Sequence, residues 1–257
     1  TQGFLITDGV KTPAPSVLIA VTEQGTILGW NPLINPNLFY VAYTSLDGAF
    51  YKGIEIVGNY IYVTNFKIDG INIISTGKID VFDSTWTLQT TFSFQYPGVS
   101  PPFYAPYNIK LIENHLIVTY ALNDLNGTNE NVKGPNFGII NVFNTDGTFV
   151  RRLKSLRDSD NKLNVPYGLT SFSEKFNKEN EDNILVGNFG NGQLGIYNSI
   201  SGNFYETLKD KYDKPIIIRG LWDISFFNDK IYYVSGDFDE KSGVFGYIKH
   251  KCSKVKK

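Results

Sequence analysis

Apolar and polar residues alternate along most of this chain in short runs, and one kind of run recurs. It is seen at Gly25–Asn31, Gly77–Asp83, Gly138–Asn144, Gly192–Asn198 and Gly243–Ile248. Each opens on glycine and ends on a large apolar residue, followed in the first four by Asp or Asn. Aligned on those large residues, Trp30, Phe82, Phe143, Tyr197 and Ile248, the runs are spaced 52, 61, 54 and 51 apart. A period of two places alternate side chains on one face of a sheet, so each run predicts a half-buried strand. Ahead of each lies another apolar run, at Val17–Val21, Tyr60–Thr64, Leu116–Tyr120, Asn183–Gly187 and Lys230–Val234. Ahead of four of those lies a third, at Gly53–Val57, Asn108–Ile112, Gly168–Phe172 and Asp223–Phe227. A fourth, outer run follows three of the glycine-led segments, at Leu88–Phe92, Phe149–Leu153 and Phe204–Leu208. Turn residues such as Thr145-Asp146-Gly147 and Ser201-Gly202-Asn203 separate them.

Four antiparallel strands recurring every 50–60 residues, with no helical period, predict an all-β fold: a β-propeller of four-stranded blades. A single four-stranded sheet cannot bury both its faces, whereas blades stacked face to face can. A β-sandwich would not repeat one strand order at a fixed period. The expected organisation is one propeller domain over 1–251, with blade units near 1–50, 51–104, 105–164, 165–217 and 218–251, and a basic tail at 252–257.

The chain has 257 residues, enough for a large all-β domain, and 19 Phe and 16 Tyr favour strands. A net charge of −1 provides no basic field for nucleic acid, apart from the tail Lys249–Lys257, which reads as a solvated end. The single cysteine, Cys252, excludes an internal disulfide framework. No apolar run is long enough for a membrane-spanning helix. The chain contains no Met and starts at Thr1, so a processed or truncated form is expected, with any targeting signal upstream.

Several stretches resemble a known group. They are Thr22–Pro32, Tyr51–Ile54, Gly77–Asp83, Ala105–Ile109, Val118–Ala121, Val165–Leu169, Leu185–Gly190 and Gly220–Trp222. Together they are similar to an uncharacterised family of six-bladed β-propellers related to NHL-repeat proteins. That family is found in bacteria, some members carrying a PEP-CTERM tail, with relatives in large DNA viruses of amoebae. The resemblance covers nearly the whole chain and implies a fold, since the family has no agreed activity or catalytic residues. It implies six blades in the intact family and about five units here. About a blade and an inner strand of the family pattern precede Thr1, so the expectation is that some 60 residues are lost upstream. The alternative is that residues 1–9 help to close a smaller ring.

In this fold the inner strands line the central channel and the adjoining loops build a ligand face. The starts of the inner strands are therefore equivalent positions: Lys52-Gly53, Tyr107-Asn108, Tyr167-Gly168 and Trp222-Asp223. Tyr107, Tyr167 and Trp222 are candidate ligand-binding residues, against the alternative that they fill the wedge where blades converge. Asp223 joins them because its charge breaks the pattern. The loops after the second strands are rich in oxygen, and Asp69, Asp124, Asp237 and Asp239 are candidate ligands for a hard cation such as Ca²⁺, although no EF-hand spacing is present and no cofactor is otherwise expected. His115 and His250 are the only histidines, and no G-x-S-x-G, C-x-x-C or H-E-x-x-H motif appears. Asn126-Gly127-Thr128 is a glycosylation triplet.

The functional expectation is a non-catalytic binding or scaffold propeller. It is placed outside the cell or on a particle surface, with the cytoplasm left open, and its partner is a protein or a glycan. The competing expectations are a metal-dependent hydrolase or lyase with its site at the channel mouth, and a structural component of a larger, viral assembly. Oligomeric state is not fixed by the sequence.

Overall fold

In a computed structural model of the protein, residues 3–68, 77–98, 100–124, 126, 128–172, 182–237 and 241–249 are described. Their regular structure is all-β, and the β-propeller class expected from the repeat is the class observed. The chain divides into two compact units, one of residues 1–131 and 142–151, the other of residues 132–141 and 152–257.

Among the described residues, five blade sheets follow one another along the chain. The first blade is β3 (Leu18–Val21), β4 (Thr26–Trp30) and β5 (Tyr40–Thr44) in that order. It is preceded by a small pair, β1 (Leu5–Ile6) with β2 (Ala14–Pro15). The second blade is β6 (Tyr51–Val57), β7 (Tyr60–Asn65), β8 (Lys78–Asp83) and β9 (Leu88–Gln89). The third is β10 (Tyr104–Ile112), β11 (His115–Leu122), β12 (Ile139–Phe143) and β13 (Phe149–Lys154). The fourth is β14 (Pro166–Phe172), β15 (Asn183–Asn188), β16 (Leu194–Asn198) and β17 (Phe204–Thr207). The fifth is β18 (Leu221–Phe227), β19 (Lys230–Gly236) and β20 (Ser242–Lys249). Thus three sheets have four strands. The first blade begins at the second-strand position, and the fifth ends at the third. The segment around Leu5–Ile6 does not supply the first blade's inner strand: it pairs with β2, while Phe4 is buried beside Ile27. The first blade's outer strand, β5, has no counterpart among the runs identified from the sequence.

Register fixes which side chains face which way. In the second blade Ile61 lies opposite Phe82 and Tyr62 opposite Val81. In the fifth, Ile231 lies opposite Ile248 and Tyr232 opposite Tyr247. Period-two alternation then sorts every blade into two apolar faces. The backward face of the second blade, Ile54, Ile61, Val63 and Phe82, packs with Ile27 and Ile19 of the first. Its forward face, Tyr62, Ile79 and Val81, packs on Ile109, Leu116, Val118 and Phe143 of the third. In the other unit Leu185, Leu194 and Ile196 form the forward face of the fourth blade and pack on Ile224 and Ile231 of the fifth. Complete burial of such a side chain contributes about 1.5–3 kcal/mol.

Among the described residues the buried charges Asp80 and Lys154 are paired. Lys154, at the end of β13, is almost fully enclosed, with its Nζ 2.9 Å from Asp160. The same Asp160 accepts the Phe204 N–H through its second oxygen. Burial raises the carboxyl pKa of Asp160, but Lys154 and the Phe204 amide outweigh it and hold the group below its ordinary value.

The face assignment makes equivalent positions energetically unequal. Leu194→Ala should lower the unfolding free energy by about 2–5 kcal/mol, the range for a buried leucine. Phe245→Ala, at the same repeat position but 73% exposed, should change it by no more than about 0.5 kcal/mol. Urea denaturation at low protein concentration measures both, and equal losses would show that the faces are wrongly assigned.

Candidate functional site

Each inner strand carries an irregularity at one place. The pairing register shifts between Tyr51 and Ile54, between Pro106 and Asn108, between Pro166 and Leu169, and between Leu221 and Ile224. The shifts enclose Lys52-Gly53, Tyr107, Tyr167-Gly168 and Trp222-Asp223, the equivalent positions picked out in the sequence. They are β-bulges, which bend a strand and re-aim its side chains. A bulge also frees backbone groups that the ladder would otherwise satisfy. In the second blade Thr64 meets that need: its Oγ accepts the Gly53 N–H at 2.7 Å and donates to the Tyr107 carbonyl at 3.1 Å. In the third, Thr119 Oγ accepts the Asn108 N–H at 3.1 Å. Gly53 is small because the next inner strand is close, a Cβ there standing 2.8 Å from the Asn108 Cα.

A second recurring element meets two of the bulges. Asn-Phe closes the second strand of two blades, as Asn65-Phe66 and Asn188-Phe189. The asparagine pins the loop. Asn65 Oδ1 accepts the N–H groups of Phe50 and Lys67, and its Nδ2 donates to Asp80 at 3.2 Å. Asn188 Oδ1 accepts the Asn164 N–H and its Nδ2 donates to the Lys162 carbonyl. The phenylalanine amide then donates to the strand entering its own blade, Phe66 to Phe50 and Phe189 to Val165. Each ring is thereby laid on the bulge aromatic of the following blade. Phe66 meets Tyr107 at 4.9 Å between centroids, and Phe189 meets Trp222 at 4.6 Å.

The two versions differ in exposure. Tyr107 and Phe66 are fully buried, with Tyr107 Oη accepting from Asn131 Nδ2 at 2.9 Å and the Lys52 ammonium 5.6 Å from the ring centroid. Lys52 also ion-pairs with Glu23. In the other unit Phe189 and Trp222 are only half-buried, as is Tyr167, which packs edge-on to Trp222 at 5.1 Å. The exposed Lys133 holds its ammonium 4.4 Å from the Phe189 centroid. Tyr167, Phe189, Trp222 and Lys133 form the candidate site, a cluster of partly open aromatic faces with a cation beside it.

Of the residues proposed from the sequence, Tyr167 and Trp222 are brought together, and Tyr107 lies in the other unit inside its closed cluster. Asp223 Oδ1 accepts the Ile224 N–H at 2.9 Å, as Asn108 Oδ1 accepts the Ile109 N–H at 2.8 Å, so carboxylate and amide do the same local work at one repeat position. Asp124 accepts both the N–H and the hydroxyl of Thr128, at 3.1 and 2.6 Å. Asp237 is half-buried, its carbonyl accepting from Ser242 Oγ. Asp69 and Asp239 lie outside the described residues. Among the described residues no three His, Cys, Asp or Glu side chains converge as a metal site would require. Phe189 and Lys133 were missed from the sequence. The signal for Phe189 was available in the repeated Asn-Phe pair, but Lys133 left none.

Comparison with known proteins adds relatives. No protein-family model matches the chain. The chain is similar to viral proteins. Three uncharacterised proteins of Acanthamoeba polyphaga mimivirus match it at 34%, 30% and 29% identity, over 85%, 86% and 85% of its length. The chain spans 39%, 53% and 56% of their lengths, about half. Among solved structures it is similar to the computationally designed Ika4 protein, at 13% identity and a TM-score of 0.40, covering 80% of this chain and 95% of that one. It is also similar to the WD40 β-propeller domain of Doa1, at 14% identity and a TM-score of 0.47, covering 93% and 66%.

The loop-pinning Asn65 couples to a titrating group. Burial raises the pKa of Asp80 above the ordinary 3.8, against the opposing effects of Lys78 at 3.3 Å and of Asn65. A raised folded-state value means that the folded chain binds this proton more tightly than the unfolded chain. The associated stability is complete below the ordinary carboxyl value and is lost as pH rises through the raised one. Asp80→Asn should therefore be within about 1 kcal/mol of the parent, or more stable, at pH 7. The parent should gain on the variant as pH falls toward the ordinary aspartate value, as measured by urea unfolding at several pH values. A gap that widens on acidification in the variant's favour would contradict the assignment.

Proposed function

We propose that this chain is a non-catalytic binding or scaffold propeller that recognises its partner through the open aromatic cluster of Tyr167, Phe189 and Trp222. The observation that carries the reading is the contrast between two copies of one device. The same Phe-on-bulge contact is sealed around Tyr107 and left half-open around Trp222. Packing alone accounts for the sealed copy. The open copy keeps flat apolar faces in reach of solvent beside a cation, a combination suited to the C–H face of a sugar ring or to a flat side chain of a protein partner.

The oxygen-bearing side chains near the loops support the same reading, because each of them accepts a backbone N–H. Asp223 holds Ile224, Asp124 holds Thr128, and Asn65 and Asn188 pin their loops. A hydrolase or lyase needs such groups turned toward a substrate or a metal. A binding role outside the cell or on a particle surface suits a chain whose relatives are viral.

Two measurements test the proposal. Elemental analysis of the purified chain should find no stoichiometric metal, and EDTA should shift the melting temperature by no more than about 2 °C, below the effect of a site worth 1 kcal/mol. One metal per chain, lost together with stability, would instead favour the metal-dependent enzyme. On a glycan array and a peptide array, the parent should retain a ligand that Trp222→Ala and Phe189→Ala each weaken by about tenfold or more with folding intact. Ligands retained equally by parent and variants would remove the cluster from the function.

A further inference from the structure

The sealed and open copies of the Phe-on-bulge contact differ in charge as well as in exposure. In the sealed copy the cation beside the rings has a counter-ion of its own: Lys52, 5.6 Å from the Tyr107 centroid, is ion-paired with Glu23. In the open copy the exposed Lys133 stands 4.4 Å from the Phe189 centroid, and among the described residues it makes no ion pair. The first cluster balances its cation within the chain. The second turns an unmatched positive charge to solvent.

The backbone that carries Lys133 is held in place. Asn164 ties it to the turn that carries Phe189. Asn164 Oδ1 accepts the Gly134 N–H at 2.9 Å, its N–H donates to Asn188 Oδ1 at 2.9 Å, and its carbonyl accepts the Gly190 N–H at 3.0 Å. The approach requires glycine at 190, where a Cβ would stand 1.9 Å from Asn164 Oδ1. The Phe137 N–H, donating to the Gly134 carbonyl at 3.3 Å, closes the turn after Lys133. Lys133, Asn164, Tyr167, Phe189 and Trp222 all belong to one compact unit. Anchoring of this kind lowers the ordering cost of setting the ammonium against a bound group.

The two segments joined by Asn164, Lys133–Phe137 and Asn188–Gln193, contain no carboxylate. They contain amides instead, and Asn136 and Asn191 are exposed. An amide side chain both donates and accepts hydrogen bonds, as a hydroxyl does. A sugar ring has C–H groups on its face and hydroxyls around its edge, and an acidic sugar adds a carboxylate or sulfate at that edge. The half-buried Trp222 and Tyr167 offer ring faces to the C–H groups. The amides match the hydroxyls, and the Lys133 ammonium matches the anion. An acidic peptide shares the charge but not the edge of hydroxyls.

Resting on the reading of this cluster as a binding site, we propose that its ligand is an acidic carbohydrate, its sugar face on Trp222 and Tyr167 and its carboxylate or sulfate paired with Lys133. Lys133 then selects acidic sugars over neutral ones, and Asn164 is its positioning residue.

A glycan array of uronic, sulfated and neutral oligosaccharides with matched backbones tests this, with titration calorimetry of the oligosaccharides retained. An acidic oligosaccharide should bind, more weakly as salt rises, and its neutral counterpart should bind about threefold or more weakly still. Whether the uronic or the sulfated form is retained separates carboxylate from sulfate recognition. Lys133→Gln should weaken the acidic form by about threefold or more, the scale of an exposed charge pair, and leave the neutral form unchanged, while Lys133→Arg keeps the preference. Trp222→Ala should weaken the acidic form by about tenfold or more. Lys133 is exposed, so its variants should melt like the parent, and they decide the matter should Trp222→Ala unfold. Neutral sugars bound as tightly as acidic ones, or Lys133→Gln without effect, would overturn the proposal and leave the cluster a binding site. So would a peptide ligand lost in Trp222→Ala with no oligosaccharide retained. If no sugar or peptide binds in a way that depends on Trp222, the proposal and the reading beneath it both fall.

Discussion

A four-stranded antiparallel sheet with apolar side chains on both faces can cover neither face by itself, and everything in this protein follows from that constraint. Alternation along each strand divides a blade into a forward set and a backward set, and each set needs a neighbour. Ile61 and Phe82 look one way, Tyr62 and Val81 the other, and both pairs are buried because the second blade has a blade on each side within its unit. The third strand satisfies both demands in one run, with Phe82 and Val81 adjacent in sequence and opposite in direction. This is why the glycine-led run is the strongest repeat in the sequence.

The inner strands answer a second constraint, that neighbouring blades converge toward one edge. The bulges bend those strands where they approach, and the freed backbone groups are satisfied by the second-strand threonines, Thr64 and Thr119. Gly53 and Gly168 allow the next inner strand to come close, Gly168 against Ile224 and the Trp222 carbonyl. In the third and fifth blades the bulge side chain, Tyr107 or Trp222, is turned toward the Phe that follows the second strand of the preceding blade. Packing at the convergence and the candidate site are one device, which buries Tyr107 in one unit and leaves Trp222 half-open in the other.

The repeat, the strand order and the equivalence of Lys52, Tyr107, Tyr167 and Trp222 were legible in the sequence, because they depend on period and spacing. The bulges were not, because a register shift is a relation between two strands and the inner strand reads as simple alternation. The strand start was accordingly set at Gly53, where pairing in fact begins at Tyr51. The first blade's outer strand, Tyr40–Thr44, was hidden for a related reason. It precedes the first complete repeat, so no aligned neighbour marked it. The roles of Asp124 and Asp223 lay beyond the sequence in a different way. An aspartate in a polar loop offers the same oxygens to a cation and to a nearby amide, and only geometry shows the Thr128 and Ile224 amides holding them.

Exposure in the first and fifth blades follows from the same division of faces. Evolutionary or physical pressure to keep a position apolar acts through what covers it, and a residue with no cover in the folded chain gains nothing from being aromatic. Phe245 and Tyr247 nevertheless stand where leucine, isoleucine and valine stand in other blades, with Tyr232 beneath them and Lys230 at their margin. Polar groups on the packed face of the second blade are supplied with partners, as Lys78 and Asn65 supply them to the buried Asp80. The fifth blade keeps the alternation in full through Ile248, with Tyr232, Phe245 and Tyr247 on one side and Ile231 and Ile248 on the other. The alternation thus fixes which side of the blade carries the rings, whatever comes to lie against that side.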